Sequence, residues 1–270
     1  MAATTSESRD RAHLVLEGAL AGGADLRLSQ ELFSVLGTLD DNAALRRALT
    51  DPSRSAEAKQ ALVGQLFSGK VSEGAISVLS SLAAERWSTE RDLGDTLEEL
   101  AATAAVAVAE RTGSQGLDEL QAQLLGFNDA VAAHHDLQWA LEDHSATAAA
   151  KVALAEKLVP GASDVARSLI AQAITSPRGL RPTALVERFV QAVAKRQRRW
   201  IATVSVTRPL TDEQHRRLEQ GLNGLYGRDL RLNVVLDASL VGGLRIEVGD
   251  DVLDASAASR LADLRRRLVG

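Results

Sequence analysis

Apolar residues recur at helical spacing along most of the first 200 residues of the chain. Three or four positions separate successive apolar residues, and few Gly or Pro residues interrupt the pattern, which is typical of amphipathic helices packed against one another. The pattern predicts helices over about 9–21, 27–36, 73–85, 89–110, 117–133, 162–175 and 183–200, with further helices on either side of the segments 50–55 and 142–147.

After residue 200 apolar and polar residues alternate, which is the spacing of strands. Strands are predicted over 201–207, 230–237 and 243–250, and the pair Gly242–Gly243 is expected to form a turn before the third strand. Two helices are predicted beside the strands, the first capped by Thr211. Their apolar stripes are Leu218, Leu222 and Leu225 in the first, and Leu261, Leu264 and Leu268 in the second, which closes the chain.

A passage of the first half of the chain returns in the second half. Residues 48–62 read "ALTDPSRSAEAKQAL" and residues 140–154 read "ALEDHSATAAAKVAL". Over 45–69 and 137–161, at a constant offset of 92, 12 of 25 positions are identical, where an Ala- and Leu-rich chain would match itself at roughly two or three by chance. The repeat therefore predicts two related helical units.

Each copy of the passage predicts a helix end, a turn and a new helix. Asp51–Pro52 directs the first copy out of the helix, and Ser55 and Thr147 are placed to cap the next helices. Gly69 and Gly161 can end those helices in a left-handed conformation. The predicted fold class is mainly α, with two homologous helical bundles followed by a small α+β C-terminal domain. The predicted domains are 1–112, 113–200 and 201–270.

Composition and charge exclude several classes of protein. The chain has no Cys, so disulfides and thiolate chemistry are excluded, and its net charge of −5 with mixed signs argues against a nucleic-acid coat. The N-terminal residues lack the apolar core of a signal peptide, and the weakly apolar stretch 100–109 is about half a membrane span. We therefore expect a soluble protein that reaches a membrane only through a partner.

No cluster of residues indicates catalysis, a cofactor or a metal. Adjacent residues on a helix point about 100° apart, so His134 and His135 do not converge on one ion as an i, i+4 pair would. The chain has no phosphate-binding G-x-x-x-x-G-K-[ST] loop and no G-x-S-x-G elbow. The basic run 195–199 is interpreted as a solvated helix end, with docking to an acidic partner or to nucleic acid as the alternatives.

The C-terminal residues resemble the signature of the delta subunit of the F-type ATP synthase, the family of the mitochondrial oligomycin-sensitivity-conferring protein. That signature is a Gly-Gly pair, a short strand, a Gly-Asp turn, an apolar pair, an Asp, a Ser two residues on and a Leu-spaced helix. Its elements here are Gly242–Gly243, 244–248, Gly249–Asp250, Val252–Leu253, Asp254, Ser256 and 261–268. Residues 45–67 resemble the family's N-terminal bundle, so the resemblance covers nearly the whole chain. The duplicated bundle is similar to that of long actinobacterial versions.

The resemblance implies a non-catalytic stator subunit that links the alpha/beta head of the synthase to its peripheral stalk, on the cytoplasmic face of the plasma membrane. In the family, the helical bundle binds the N-termini of alpha subunits and the C-terminal unit binds the C-terminal helix of the b subunit. The resemblance places Leu14 and Leu97 in the first contact and Leu261, Leu264 and Leu268 in the second. The alternative is a helical adaptor or regulator outside the synthase that contacts nucleic acid through the basic run.

Overall fold

Eleven helices precede the first strand in the part of the chain that the computed structural model describes, which comprises residues 2–143, 145–228, 230–237, 240, 243–249 and 251–254. These helices are α1 (Ala2–Ala21), α2 (Leu26–Asp41), α3 (Ala43–Thr50), α4 (Ala56–Phe67), α5 (Glu73–Ala84), α6 (Glu90–Glu110), α7 (Ser114–Ala132), α8 (His135–Glu142), α9 (Ala148–Leu158), α10 (Asp164–Thr175) and α11 (Pro182–Gln197). The chain divides into two compact units, 1–193 and 194–270. The finer division at 112 and 200 stays a prediction.

The repeated passage adopts the same turn in both copies. The Asp51 carboxylate accepts hydrogen bonds from the backbone N–H of Ser53 at 2.9 Å and from its hydroxyl at 2.6 Å. Asp143 accepts the same two bonds from Ser145, both at 2.8 Å. An Asp that binds the residue two positions on stabilises a turn locally, so this part of each copy depends on its own short sequence.

The predicted caps of the following helices are confirmed. The Ser55 and Thr147 side chains each accept a bond from the backbone N–H three residues on, which satisfies one of the free donors at the start of α4 and α9. Gly69 and Gly161 both follow these helices with positive φ, at 76° and 82°. Local chemistry therefore begins the repeated helix in the same way twice, and a left-handed glycine follows it in both copies.

The offset of 92 relates whole helices, and it also relates α1 to α6. Helices α3, α4 and α6 begin at Ala43, Ala56 and Glu90, and α8, α9 and α11 begin 92 residues later, at His135, Ala148 and Pro182. The same offset carries α1 onto the position of α6. Helix α1 packs against α5. Helix α6 packs against α10, and it also packs against α1, α2 and α7. Helix α6 therefore closes the first copy and begins the second.

Aromatic and aliphatic side chains join the two copies in a common core. Phe33 on α2 meets Phe189 on α11 edge to face, with ring centroids 6.1 Å apart, a favoured geometry for aromatic pairs. Both rings are buried. Small residues let neighbouring helices approach α6 closely, since Ala101, Ala104 and Ala105 on it have no exposed surface.

The described residues of the C-terminal unit form a four-stranded sheet with one helix, which confirms the predicted α+β arrangement. Its elements are β1 (Ile201–Val206), α12 (Asp212–Tyr226), β2 (Arg231–Leu236), β3 (Leu244–Val248) and β4 (Asp251–Asp254), after a short 3-10 turn at Arg198–Trp200. The strand order is β2-β1-β3-β4, with β1 parallel to β2 and antiparallel to β3. Thr211 caps α12 as predicted. The predicted final helix lies outside the described residues.

Alternation along the strands buries one face of the sheet. The core of this unit comprises Ala202, Val204, Val206, Leu222, Leu230, Ile246 and Val248. Leu225 of the predicted stripe departs from this core, because it is 66% exposed, and Leu236 on β2 is 62% exposed. Both lie at the ends of their elements, and β2 is an edge strand with a neighbour on one side alone among the described strands. Strand β4 was not predicted.

The turn before β3 requires a glycine at its last position. Gly243 has φ of 81°, where an L side chain is strained, and Gly242 lies outside the described residues. We expect Gly243→Ala to lower the free energy of unfolding by about 1–2 kcal/mol, with hydrogen exchange rising in β1 and β3. Gly221→Ala is the control, since no atom lies within 4 Å of an added Cβ on this helical glycine. Equal stability of the two variants would contradict the requirement.

Candidate interaction surfaces

The two residues predicted to contact the alpha subunit lie in opposite environments. Leu14 on α1 is 73% exposed, and Leu97 on α6 has 0% exposed surface. A partner could reach Leu97 only if the helical unit opened. Their assignment to a partner site stays a prediction, and Leu14 is the one of the two that the folded chain presents at its surface.

Helix α1 is held antiparallel to α5, which sets the direction of its exposed face. Near one end the Ser8 hydroxyl donates to Glu85 at 3.0 Å, and near the other a Cβ on Gly74 would lie 3.6 Å from the Cβ of Ala19. The Arg11 side chain also donates to Glu85, at 2.6 Å for its Nε. The hydrogen bond from Arg11 lowers the pKa of the Glu85 carboxyl, so the carboxylate stays charged and paired.

The outer face of α1 combines one apolar side chain with open space. Leu14 lies between exposed Arg11 and exposed Gly18, one turn away on either side. No atom lies within 4 Å of an added Cβ at Gly18. A partner helix could therefore approach α1 closely and bury Leu14, as helix-in-groove contacts do with apolar anchors.

A cluster of charges joins the loop before α11 to α2 and α6. Arg178, 13% exposed, donates from Nε to Asp40 at 2.8 Å and from Nη1 to Asp95 at 2.9 Å. Its Nη1 also lies 3.5 Å from Glu98, which in turn lies 3.5 Å from Arg188. These side chains connect the two copies of the repeat, since Asp40, Asp95 and Glu98 belong to the first and both arginines to the second.

Burial and charge act in opposite directions on this cluster. Burial raises the pKa of the Glu98 carboxyl above its ordinary value. The positive charges of Arg178 and Arg188 lower this pKa, but by less than burial raises it. Backbone geometry is also unusual here, because Arg178 has φ of 50°. A Cβ at position 94 would lie 2.5 Å from the guanidinium, so Gly94 makes room for it.

The exposed apolar residues of the C-terminal unit provide a second candidate surface. Leu225, Leu236, Val252 and Leu253 are exposed. The residues predicted to bind the b subunit, Leu261, Leu264 and Leu268, lie outside the described residues. Their role stays a prediction.

The basic run 195–199 is not wholly solvated. Arg196 is buried. The Cγ of Arg199 would lie 3.3 Å from a Cβ added at Gly249, so this arginine packs against the sheet. The His135 and Trp139 rings lie 5.7 Å apart, and the described residues contain no group of three potential metal ligands. None of the described helices is long and apolar enough to cross a membrane.

Known proteins resemble the chain over its full length. The sequence model of the ATP synthase delta (OSCP) subunit matches residues 99–268. The ATP synthase subunit delta of Pseudarthrobacter chlorophenolicus is 55% identical, with both chains covered completely. That of Streptomyces avermitilis is 38% identical over 90% of this chain and 89% of its own. A chain in a Toxoplasma gondii mitochondrial ATP synthase structure is 17% identical, with TM-score 0.35, and covers 63% of this chain and 97% of its own.

Proposed function

Because the chain belongs to the ATP synthase delta (OSCP) family, we propose that it joins the catalytic head to the peripheral stalk through two separate surfaces. The chain is a non-catalytic stator subunit of the F-type ATP synthase and a peripheral component of that complex. This membership replaces the alternative of an adaptor outside the synthase. The proposed location is the cytoplasmic face of the plasma membrane, reached through the other subunits.

The head contact is assigned to α1 of the first copy, and the exposure of Leu14 is the observation that supports it. Helix α6 takes the place of α1 in the second copy, and the offset of 92 makes Val106 the counterpart of Leu14. Val106 and Ala105 have no exposed surface, and Ala107 is also buried. The second copy therefore lacks an equivalent free face, and the first copy binds the N-terminal helix of an alpha subunit.

Leu14→Asp tests this contact without disturbing the core. We expect binding of a peptide with the alpha-subunit N-terminal sequence to weaken by roughly 30-fold or more, because a buried apolar anchor would be replaced by a desolvated charge. Isothermal calorimetry with the full chain measures the effect. Leu125→Asp, which changes an exposed leucine on α7 of the second copy, is the matched control. Loss of binding in the control alone would move the contact to the second copy.

The stalk contact is assigned to the C-terminal unit. Its exposed apolar residues and the Leu-spaced residues 261–268 offer anchors for an apolar helix stripe. We expect Leu264→Asp to abolish binding of the C-terminal helix of the b subunit while binding of the alpha peptide persists. Leu125→Asp, which adds the same charge at an exposed leucine of the helical unit, is the control. Unchanged b binding in Leu264→Asp would exclude this residue as an anchor.

A further inference from the structure

One carboxyl group lies buried where the two copies of the repeat meet. Glu98 on α6 is 4% exposed, and it is the one acidic residue that is buried in the part of the chain that the structure describes. Its Oε1 has no hydrogen-bond partner among those residues. An ionised carboxylate that lacks both water and hydrogen bonds is costly, so a carboxyl in such a place takes up a proton instead.

The guanidinium groups near Glu98 neutralise it only in part. Arg178 makes its shorter bonds to Asp40 at 2.8 Å and to Asp95 at 2.9 Å, and its Nη1 lies 3.5 Å from Glu98 Oε1. Arg188 lies 3.5 Å from Oε2, and its side chain is 50% exposed, so water screens its charge. Asp95, one turn before Glu98 on α6, adds a like charge. Burial therefore outweighs pairing in this cluster.

Other charged groups on the helices around α6 have partners of their own. These pairs are Arg9 with Thr96, His13 with Glu99, Arg46 with Glu90, Arg91 with Asp95, Glu119 with Gln115 and Arg167 with Asp164. The charges that act most strongly on Glu98 are those of Arg178, Arg188 and Asp95.

The second copy shows that the fold does not require a carboxyl at this place. At the offset of 92, Val190 on α11 corresponds to Glu98 on α6, and Val190 is also 4% exposed. Buried charged groups can often be replaced by well-packed apolar side chains without loss of stability. Packing alone thus does not account for the carboxyl at position 98.

We propose that Glu98 makes the contact between the two copies sensitive to protons: it carries a proton in the folded chain at a pH at which exposed carboxyls are ionised, and loss of this proton weakens the contact. A neutral Glu98 leaves the Arg178 guanidinium to Asp40 and Asp95. An ionised Glu98 competes with them for that guanidinium, and its charge favours opening of the contact so that water reaches the carboxylate. This regulation goes beyond the head and stalk contacts proposed above and depends on neither.

The pH dependence of stability tests the proposal, with Glu98→Gln as a permanent equivalent of the protonated side chain. The folded state binds this proton more tightly than the unfolded state, so the parent chain should lose stability as the pH rises through the folded-state pKa of Glu98. The unfolding equilibrium constant of the parent, relative to that of Glu98→Gln, should rise by up to about tenfold per pH unit. Chemical denaturation of the full chains over roughly pH 5 to 8 measures it.

The matched control is Glu119→Gln, which changes an exposed glutamate on α7 and should follow the parent chain at every pH. The same pH dependence in the parent and in Glu98→Gln would overturn the proposal.

Carbon-13 NMR of the glutamate carboxyls observes the proton in the parent chain itself, so this measurement does not require a variant to fold. The Glu98 carboxyl should titrate at a higher pH than that of Glu119. Amide protection factors in residues 176–181 and in α11 should fall at least about threefold on the alkaline side of this titration. A Glu98 carboxyl that titrates together with Glu119, or protection that stays constant through its titration, would contradict a proton-sensitive contact.

Discussion

Leu97→Asp is expected to unfold the helical unit. Leu97 has no exposed surface, so the substitution removes a buried leucine, which costs about 2–5 kcal/mol, and adds the desolvation of a carboxylate, which costs several kcal/mol more. The sum approaches or exceeds the 5–15 kcal/mol stability of a typical domain. Far-UV circular dichroism and thermal melting should show loss of most of the helical signal at 25 °C.

The control for this experiment is Leu97→Met, which conserves volume and should cost less than about 1.5 kcal/mol. Leu14→Asp adds the same charge at an exposed position of α1 and should leave the melting curve nearly unchanged. A folded Leu97→Asp variant with a normal melting temperature would mean that water reaches α6, and the partner role predicted for Leu97 would regain support.

Arg178→Met should have the next largest effect on stability. The substitution leaves Asp40, Asp95 and Glu98 without their shared guanidinium. Because Asp40 and Asp95 keep 29% and 28% of their side-chain surface exposed, the loss should be about 3 kcal/mol, the lower end for a buried ion pair, which corresponds to a fall of roughly 6–12 °C in melting temperature for a chain of this size. Arg167→Ala removes an exposed arginine that pairs with Asp164 within α10 and should change stability by less than about 1 kcal/mol.

The pH dependence of the Arg178→Met variant distinguishes lost charge pairing from lost packing. Without the guanidinium, the pKa of the Glu98 carboxyl, which burial already raises, should rise further above its unfolded value. The folded state then binds more protons, so the deficit should shrink as the pH falls from 7 towards about 4.5, near the ordinary carboxyl pKa. Chemical denaturation of both proteins across that range measures it. A deficit that stays constant would assign the effect to packing.

Local chemistry explains how much of the fold could be predicted from the sequence. The caps by Ser55, Thr147 and Thr211 depend on residues within three positions, and each was predicted and is confirmed. The alternation that gave β1, β2 and β3 is equally local. Strand β4 escaped prediction because its four residues are too few to show a period, and its pairing with β3 follows a turn at Gly249.

The candidate sites depended on contacts that no short pattern reveals. Leu14 and Leu97 both occupy apolar positions of amphipathic helices, and their different exposure follows from how many helices surround α1 and α6. Arg178 meets Asp40 from 138 residues away along the chain. The backbone at Arg178 and Gly179 has positive φ at both residues, which the structure alone reveals.

Sharing α6 between the copies has a mechanical consequence for a stator. Only Arg111, Thr112 and Gly113 separate α6 from α7, and α6 packs against helices of both copies, so there is no free linker about which one copy could pivot on the other. A twisting load applied to the first copy must pass through packed side chains and through the Arg178 cluster rather than through a flexible hinge. Duplication has thus enlarged this stator subunit without introducing a flexible hinge between the two copies.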